Sequence, residues 1–245
     1  MADRLSLAIL SMAALAGLAT PAQAQNTQDE YRPTGTRIVS QAQTADPDTG
    51  RRLLRLTAAC VNRRFGAEVV TLLRSGNPEA VAYAAEGIRD RDDQSPLALS
   101  ECLHEALNGA QVTSQMRIPE RTLRLALAEG AYLRRHAVPL AMGEGSPQFI
   151  AGRAVLLGSN PQQSQAMGQF ADCLVFHAPA EADRLVRGAV GGEEEAANAR
   201  ALAPAIGECL PEGQQINFTA SALRDYAIDG LWARSEFAAS QGSGE

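Results

Sequence analysis

The sequence predicts an all-α protein, two tandem copies of a roughly four-helix unit, each stapled by one disulfide. Three observations carry that prediction. Ala- and Leu-rich runs with apolar residues at three- and four-residue spacing follow capping residues set before proline, and alternating strand patterns are missing from the sequence. Four cysteines, Cys60, Cys102, Cys173 and Cys209, fall two to each half. Finally, the phrase LRLALAEGAYLRR at 123–135 returns as LRDYAIDGLWARS at 223–235.

The chain opens with MADRLSLAILSMAALAGLATPAQAQ. One Arg precedes an apolar run from Leu5 to Ala19, Pro21 breaks the run, and Ala22-Gln23-Ala24 supplies a small-x-small cleavage site. The run is shorter than the ~20 residues a membrane span needs, and no Cys follows it to carry a lipid. Residues 1–24 are therefore expected to be a secretory signal, with no membrane span after its removal. Residues 25–46 are polar and expected to be disordered.

Unit 1 is expected over 47–135. Its helices are 50–63, 67–75, a third region 78–107 broken near Ser95-Pro96, and 119–135. A linker, 136–160, follows; its Gly and Pro content reads as loop, with FIAGRAVLL (149–157) a candidate strand. Unit 2 is expected over 161–235, with helices 161–176, 180–188, 193–209 (Pro204 at the matching break) and 219–235. Asn77-Pro78, Ser95-Pro96 and Asn160-Pro161 supply helix starts. The short runs QMRI and QINF end on Ile118 and Phe218, each placed to act as a hydrophobic staple. A disordered tail is expected at 236–245.

The units align within the one chain. CVNRRFGAEVVTLLR from Cys60 lies over CLVFHAPAEADRLVR from Cys173, matching Ala67 to Ala180, Glu68 to Glu181, Leu72 to Leu185 and Arg74 to Arg187. SECL at Cys102 matches GECL at Cys209, and MRIPERTLR matches INFTASALR. Four cysteines by spacing alone allow three pairings. The duplication makes bridges within each unit the economical assignment, Cys60–Cys102 and Cys173–Cys209, each worth about 4 kcal/mol on the chain-entropy model. No C-x-x-C spacing suggests zinc or a redox pair.

Composition narrows the partners. All 22 basic residues are Arg against 28 acids, a net charge of −6. An acidic chain with 4% aromatics is poor material for phosphate neutralisation or base stacking, so a nucleic-acid partner is excluded. The absence of Lys suggests a GC-rich bacterial genome. The pairs Arg51/Arg52, Arg63/Arg64 and Arg134/Arg135 read as solvated helix faces.

Chemistry is sparse. The sequence holds no G-x-S-x-G, P-loop, dinucleotide fingerprint or H-E-x-x-H. His104, His136 and His177 stand in separate segments, so neither metal nor cofactor is expected. Gly130 and Gly230 occupy one helical step, and since Gly costs about 1 kcal/mol there against Ala, close helix packing is the expected reason. Tyr132 and Trp232, two residues on, are candidate binding residues lining a cleft between units. Glu129 and Asp229 are candidate partners in that cleft, or an acid/base couple. Glu101 and Glu208 are expected to be solvated or to meet a nearby Arg. The acids of GEEEA (192–196) suit the positive end of a helix dipole.

The stretches FADCLV, AEADRLV and ALAPAIGECLPEGQQINFTASALRDYAIDGLW resemble exported proteins of sphingomonad-type alphaproteobacteria that carry the same paired-Cys helical unit, often duplicated. The likeness runs from about 50 to 235 and is clearest in unit 2. Unit 1 departs from it around GIRDRDDQSP and lacks the Pro-Glu-Gly after CL. The resemblance implies export and duplication; the family has no assigned activity, so no site residue transfers. The expected function is a periplasmic or secreted, non-enzymatic module that binds a protein or an envelope component. The alternatives are an envelope hydrolase using acids between the units, or an inhibitor or immunity-type protein.

Overall fold

Proline has no N–H to waste at the first turn of a helix, and an Asp or Asn just ahead of it accepts a backbone N–H two or three residues on. The first helix begins in this way. The computed structural model describes residues 46–76, 97–108, 118–211, 213–214 and 216–241. Helix α1, Pro47–Arg64, starts where Asp46 accepts from the Thr49 N–H at 2.9 Å. Asp46 is thus a cap rather than the end of a disordered segment. After Phe65, α2 runs Gly66–Ser75 and stops at Gly76, whose φ of 64° suits a residue without a Cβ. Helix α3 is Leu99–Ala106, and α4 is Glu120–Arg135.

Irregular chain then leads to α5, Pro161–His177, capped by Asn160 accepting from the Gln163 N–H at 2.8 Å. Helix α6 is Pro179–Arg187, α7 Gly192–Arg200, and α8 Ala203–Cys209 with Pro204 in its first turn. Helix α9 is Ala220–Gln241, entered through Thr219, which accepts from the Ala222 N–H at 3.1 Å. Among the described residues there are nine helices and no strand.

Two expectations are corrected. The segment 149–157 forms no strand, because the N–H groups of Ile150 and Leu156 donate to the carboxylates of Asp172 and Asp229 instead of to a neighbouring strand. Residues 236–241 are helical rather than a disordered tail. Glu236 ties that extension down by pairing with Arg74 of α2 and Arg135 of α4. The signal at 1–24, residues 25–45, the caps at Asn77-Pro78 and Ser95-Pro96, most of the third region of unit 1 and residues 242–245 lie outside the described residues.

Both disulfides are formed as paired above. Cys60 of α1 joins Cys102 of α3 with Cα atoms 5.5 Å apart, and Cys173 of α5 joins Cys209 of α8 at 5.7 Å. Helix α1 packs on α3 and α4, while α5 packs on α8 and α9. Helix α2 meets α1 and α4, and α6 meets α5 and α9. Helix α9 also touches α4 and α7, so it belongs to both groups. A single apolar core runs through them; Leu73, Leu99, Leu123, Leu127, Leu174, Leu185 and Leu231 are fully buried. Each such leucine stabilises by about 2 kcal/mol relative to exposure. Among the described residues no helix is long and apolar enough to cross a membrane.

Ahead of the last helices, Ile118 and Phe218 both pack against this core. Phe218 stacks on Phe170 of α5 with centroids 5.0 Å apart, and Tyr226 of α9 meets Phe170 edge-on at 4.8 Å. The glycines of the repeated phrase sit at helix crossings. A Cβ on Gly230 would lie 2.4 Å from the Ala171 carbonyl oxygen and 2.7 Å from Val175 Cγ2. On Gly130 it would lie 2.4 Å from Asn62 Nδ2 and 3.2 Å from the Ala58 carbonyl oxygen.

Candidate functional site

Carboxylates can be buried only when cations or N–H groups surround them. Glu129 of α4 is buried between Arg55 of α1, Nε at 2.9 Å, and Arg224 of α9, Nη1 at 3.1 Å. Burial pushes its carboxyl above the usual range, while Arg224 and Arg55 pull it back. Arg224 also donates to Glu195 of α7 at 2.7 Å, to the carbonyl of Val186 in the last turn of α6, and to those of Gly188 and Ala189 beyond it. Arg55 donates to the carbonyls of Val186 and Gly188 at 2.9 and 2.6 Å.

Glu195 belongs to the GEEEA run and stands in the first turn of α7 as expected, where it also meets arginines of other helices. It is buried and accepts from Arg51, Arg224 and the Gly191 N–H, with Arg51 Nη2 at 2.5 Å and Gly191 N at 2.8 Å. Burial alone would raise this carboxyl; the hydrogen bonds from Arg51, Arg224 and Gly191 outweigh it and hold the group down at about 2. Arg51 is accordingly an ion-pair partner rather than part of a solvated face.

Asp229 is fully buried elsewhere. It accepts from the Leu156 N–H at 2.7 Å and from Arg153 Nη2 at 2.8 Å. Arg153 turns its Nε to Asp172 at 2.9 Å, and Asp172 accepts the Ile150 N–H at 3.0 Å. One arginine between two buried acids thus fastens the linker to α5 and α9. Glu129 and Asp229, matched in the phrase, serve two different ion-pair clusters.

The twin aromatics are buried as well. Tyr132 donates its hydroxyl to Asp183 Oδ1 of α6 at 2.6 Å; burial first, then this bond, pushes the phenol well above its ordinary range. Arg187 holds Asp183 from the other side at 2.6 Å. Trp232 lies under the Arg135 guanidinium, 5.2 Å from the ring centroid, and edges a cavity of about 430 Å³ with Arg74, Glu236 and Phe237. Of the remaining candidates, Glu101 pairs with Arg64 at 2.7 Å and Glu208 with His177 Nδ1 at 2.6 Å. His177 stands beside Cys173 and Cys209, whose sulfurs are committed to their disulfide. His136 meets Ser235 Oγ at 2.7 Å.

A larger cavity, about 720 Å³, opens between the linker and the start of α5. Phe149, Val155 and Leu157 line it from the linker; Ser164, Gln165 and Gln169 line it from α5, with Asp172 and Arg153 at its wall. Arg124 of α4 also lines it. Sequence reasoning missed Arg124, Arg153 and Asp172. The available signal was the repeated Leu-Arg itself, which matches Arg124 to Arg224. Their environments differ completely, since Arg224 is saturated and Arg124 Nε and Nη2 have no hydrogen-bond acceptor.

Comparison with protein-family models, curated proteins and solved structures returned no match. Fold and site together define a class: an all-α, doubly disulfide-bonded protein with an open, mixed polar and apolar cavity.

Proposed function

We propose that the protein is an exported, non-catalytic binding module of the periplasm or cell exterior, made from two copies of one four-helix unit. The observation that carries the binding reading is the cavity of about 720 Å³, a volume typical of small-molecule sites. The acids and aromatics once placed in a shared cleft are spent on structure: Glu129 on Arg55 and Arg224, Asp229 on Arg153, Tyr132 on Asp183. They give a hydrolase reading no support. The two disulfides fit an oxidising compartment, as does the signal-like N-terminus.

The duplication is supported by matched geometry. The helix orders α1–α2–α3–α4 and α5–α6–α8–α9 share their packing partners and their bridges. Gly130 faces Ala58 and Asn62, four residues apart on α1; Gly230 faces Ala171 and Val175, four apart on α5. These positions correspond when Cys60 is laid over Cys173. The likeness to exported paired-Cys proteins points the same way. The partner on this reading is a small envelope component or an envelope protein presenting one.

The test is capture from envelope extract by the immobilised, oxidised protein, with bound proteins and small molecules read by mass spectrometry. A single stoichiometric species that is lost from the cavity-filling variant Gln165→Trp is the expected result. Turnover of an envelope substrate by the purified protein would overturn the reading, as would capture unaffected by that variant.

A further inference from the structure

The two disulfides match in position and differ in surroundings. With Cys60 laid over Cys173 and Cys102 over Cys209, Arg64 falls on His177 and Glu101 on Glu208. Both matched contacts are made: Arg64 Nη1 meets Glu101 at 2.7 Å, and His177 Nδ1 meets Glu208 at 2.6 Å. The second bridge therefore has an imidazole, which can offer a lone pair, where the first has a guanidinium, which cannot. Cys173 and His177 stand four residues apart on α5, neighbours on one helix face, and Cys209 meets them from the end of α8. Both sulfurs and a ring nitrogen of His177 lie within 4.8 Å of one another.

Access and electrostatics separate the bridges further. Cys60 and Cys102 are 3% and 0% exposed, whereas Cys209 is partly exposed and His177 is exposed. The Glu105 carboxylate lies 3.3 Å from Cys60 Sγ, where it opposes a thiolate. At the other bridge Gln148 Nε2 points a donor at Cys173 Sγ from 3.5 Å, which favours one. We propose that Cys173, Cys209 and His177 form a reduction-gated site for Zn2+ or another thiophilic d10 cation, with Glu208 holding the imidazole from its Nδ1 side. A thiolate of a dithiol reductant attacks Cys209 Sγ, the S–S bond breaks, and the Cys173 sulfur leaves with the electron pair and takes up a proton. The reductant's second thiol then closes its own disulfide and frees Cys209, so the protein gains two electrons and two protons. Metal binding displaces both thiol protons. Zinc with Zn–S bonds of about 2.3 Å sets two thiolates about 3.8 Å apart, inside the span that already encloses the three ligand atoms. A carboxylate behind a ligating histidine fixes the ring's orientation, the part Glu208 takes here. Two thiolates and one imidazole suit a soft cation and leave zinc's fourth position to water or an incoming ligand. The inference is independent of the cavity between the linker and α5.

The test uses the full chain, reduced with dithiothreitol and freed of it under argon, with Zn2+ as the probe against a chromophoric chelator. One Zn2+ per chain is expected, and Co2+ in its place is expected to give thiolate charge-transfer absorption. The double variant Cys60→Ser, Cys102→Ser should keep the site, and Cys173→Ser, Cys209→Ser should lose it. Glu208→Gln is expected to weaken zinc about tenfold. His177→Arg recreates the contact of the first unit without a ligand; it should weaken zinc by more than Glu208→Gln while the oxidised chain keeps its melting temperature. A histidine serving only as the counterpart of Arg64 would leave zinc affinity unchanged in His177→Arg, and that result overturns the proposal. Equal affinity in the Cys173→Ser, Cys209→Ser chain also overturns it, and zinc held as tightly by the oxidised chain overturns the gating. Where reduction costs helical dichroism, Zn2+ is expected to restore it, because binding energy at such a site is folding energy; a reduced chain that zinc leaves unfolded overturns the proposal as well.

Discussion

Among single residues, Glu195 carries a charge that the fold depends on, held by Arg51, Arg224 and the Gly191 N–H. Its folded pKa of about 2 lies below its ordinary 4.5. A depressed carboxyl contributes stability above its unfolded pKa and loses it as pH falls, here between about pH 4.5 and 2. Glu195→Gln should flatten that acid limb in urea melts run across this range. At neutral pH the same change strips a carboxylate from the buried Arg224 and should cost about 3–5 kcal/mol. Asp225 has the opposite sign. Burial raises it to about 6 from 3.8, with Arg121, Arg51 and Arg224 pulling it down. Its ionised form therefore weighs against folding, fully above pH 6 and progressively less as pH falls toward 3.8. Asp225→Asn should raise stability at pH 7 more than at pH 5; equal gains at both would contradict the assignment.

Helix crossings are decided at the scale of the element. Alanine in place of a helical glycine gains about 1 kcal/mol of propensity, so a loss at such a site measures the crossing. At Gly230 the new Cβ meets a backbone oxygen of α5, Ala171 O at 2.4 Å, and the helices must part. At Gly130 it first meets Asn62 Nδ2, a side-chain end that bridges the carbonyls of Ala58 and Leu127. Gly230→Ala should therefore destabilise by about 1–3 kcal/mol, and more than Gly130→Ala, in denaturant titrations. The sequence shows such elements well. Helix starts are local chemistry, and Asn160 ahead of Pro161 names its own cap. The extension through 236–241 was invisible, because the arginines that anchor Glu236 come from α2 and α4.

The whole molecule is held by two bridges and one continuous core. Removing Cys60–Cys102 or Cys173–Cys209 as a double serine variant should lower stability by about 4 kcal/mol each, by the chain entropy that loop closure withdraws from the unfolded state. Equilibrium unfolding of each variant against the oxidised parent measures it; a loss under about 1 kcal/mol would mean an unfolded state already compact. The core spans both helix groups through α9, which touches α4, α6 and α7 as well as α5. Unfolding is accordingly expected as one transition by tryptophan fluorescence at Trp232 and by far-ultraviolet dichroism. Two separated transitions would show the groups to be independent.

The sequence by itself determined the helical class, the start of α5 at Asn160-Pro161 and the disulfide partners, because a cap is local and a phrase written twice carries its own alignment. The tertiary structure alone decided which charges are spent. Arg124 and Arg224 each follow a leucine that opens the repeated phrase, and the residues around them do not name the partners that Arg224 finds. Glu195 reaches Arg224 from a distant helix, and the carbonyls at and just after the end of α6 complete its shell. Arg124 receives no such partner and lines a cavity. Burial and partnership are properties of where the chain brings groups together, and for a charge they set whether it is paired or left alone inside the fold.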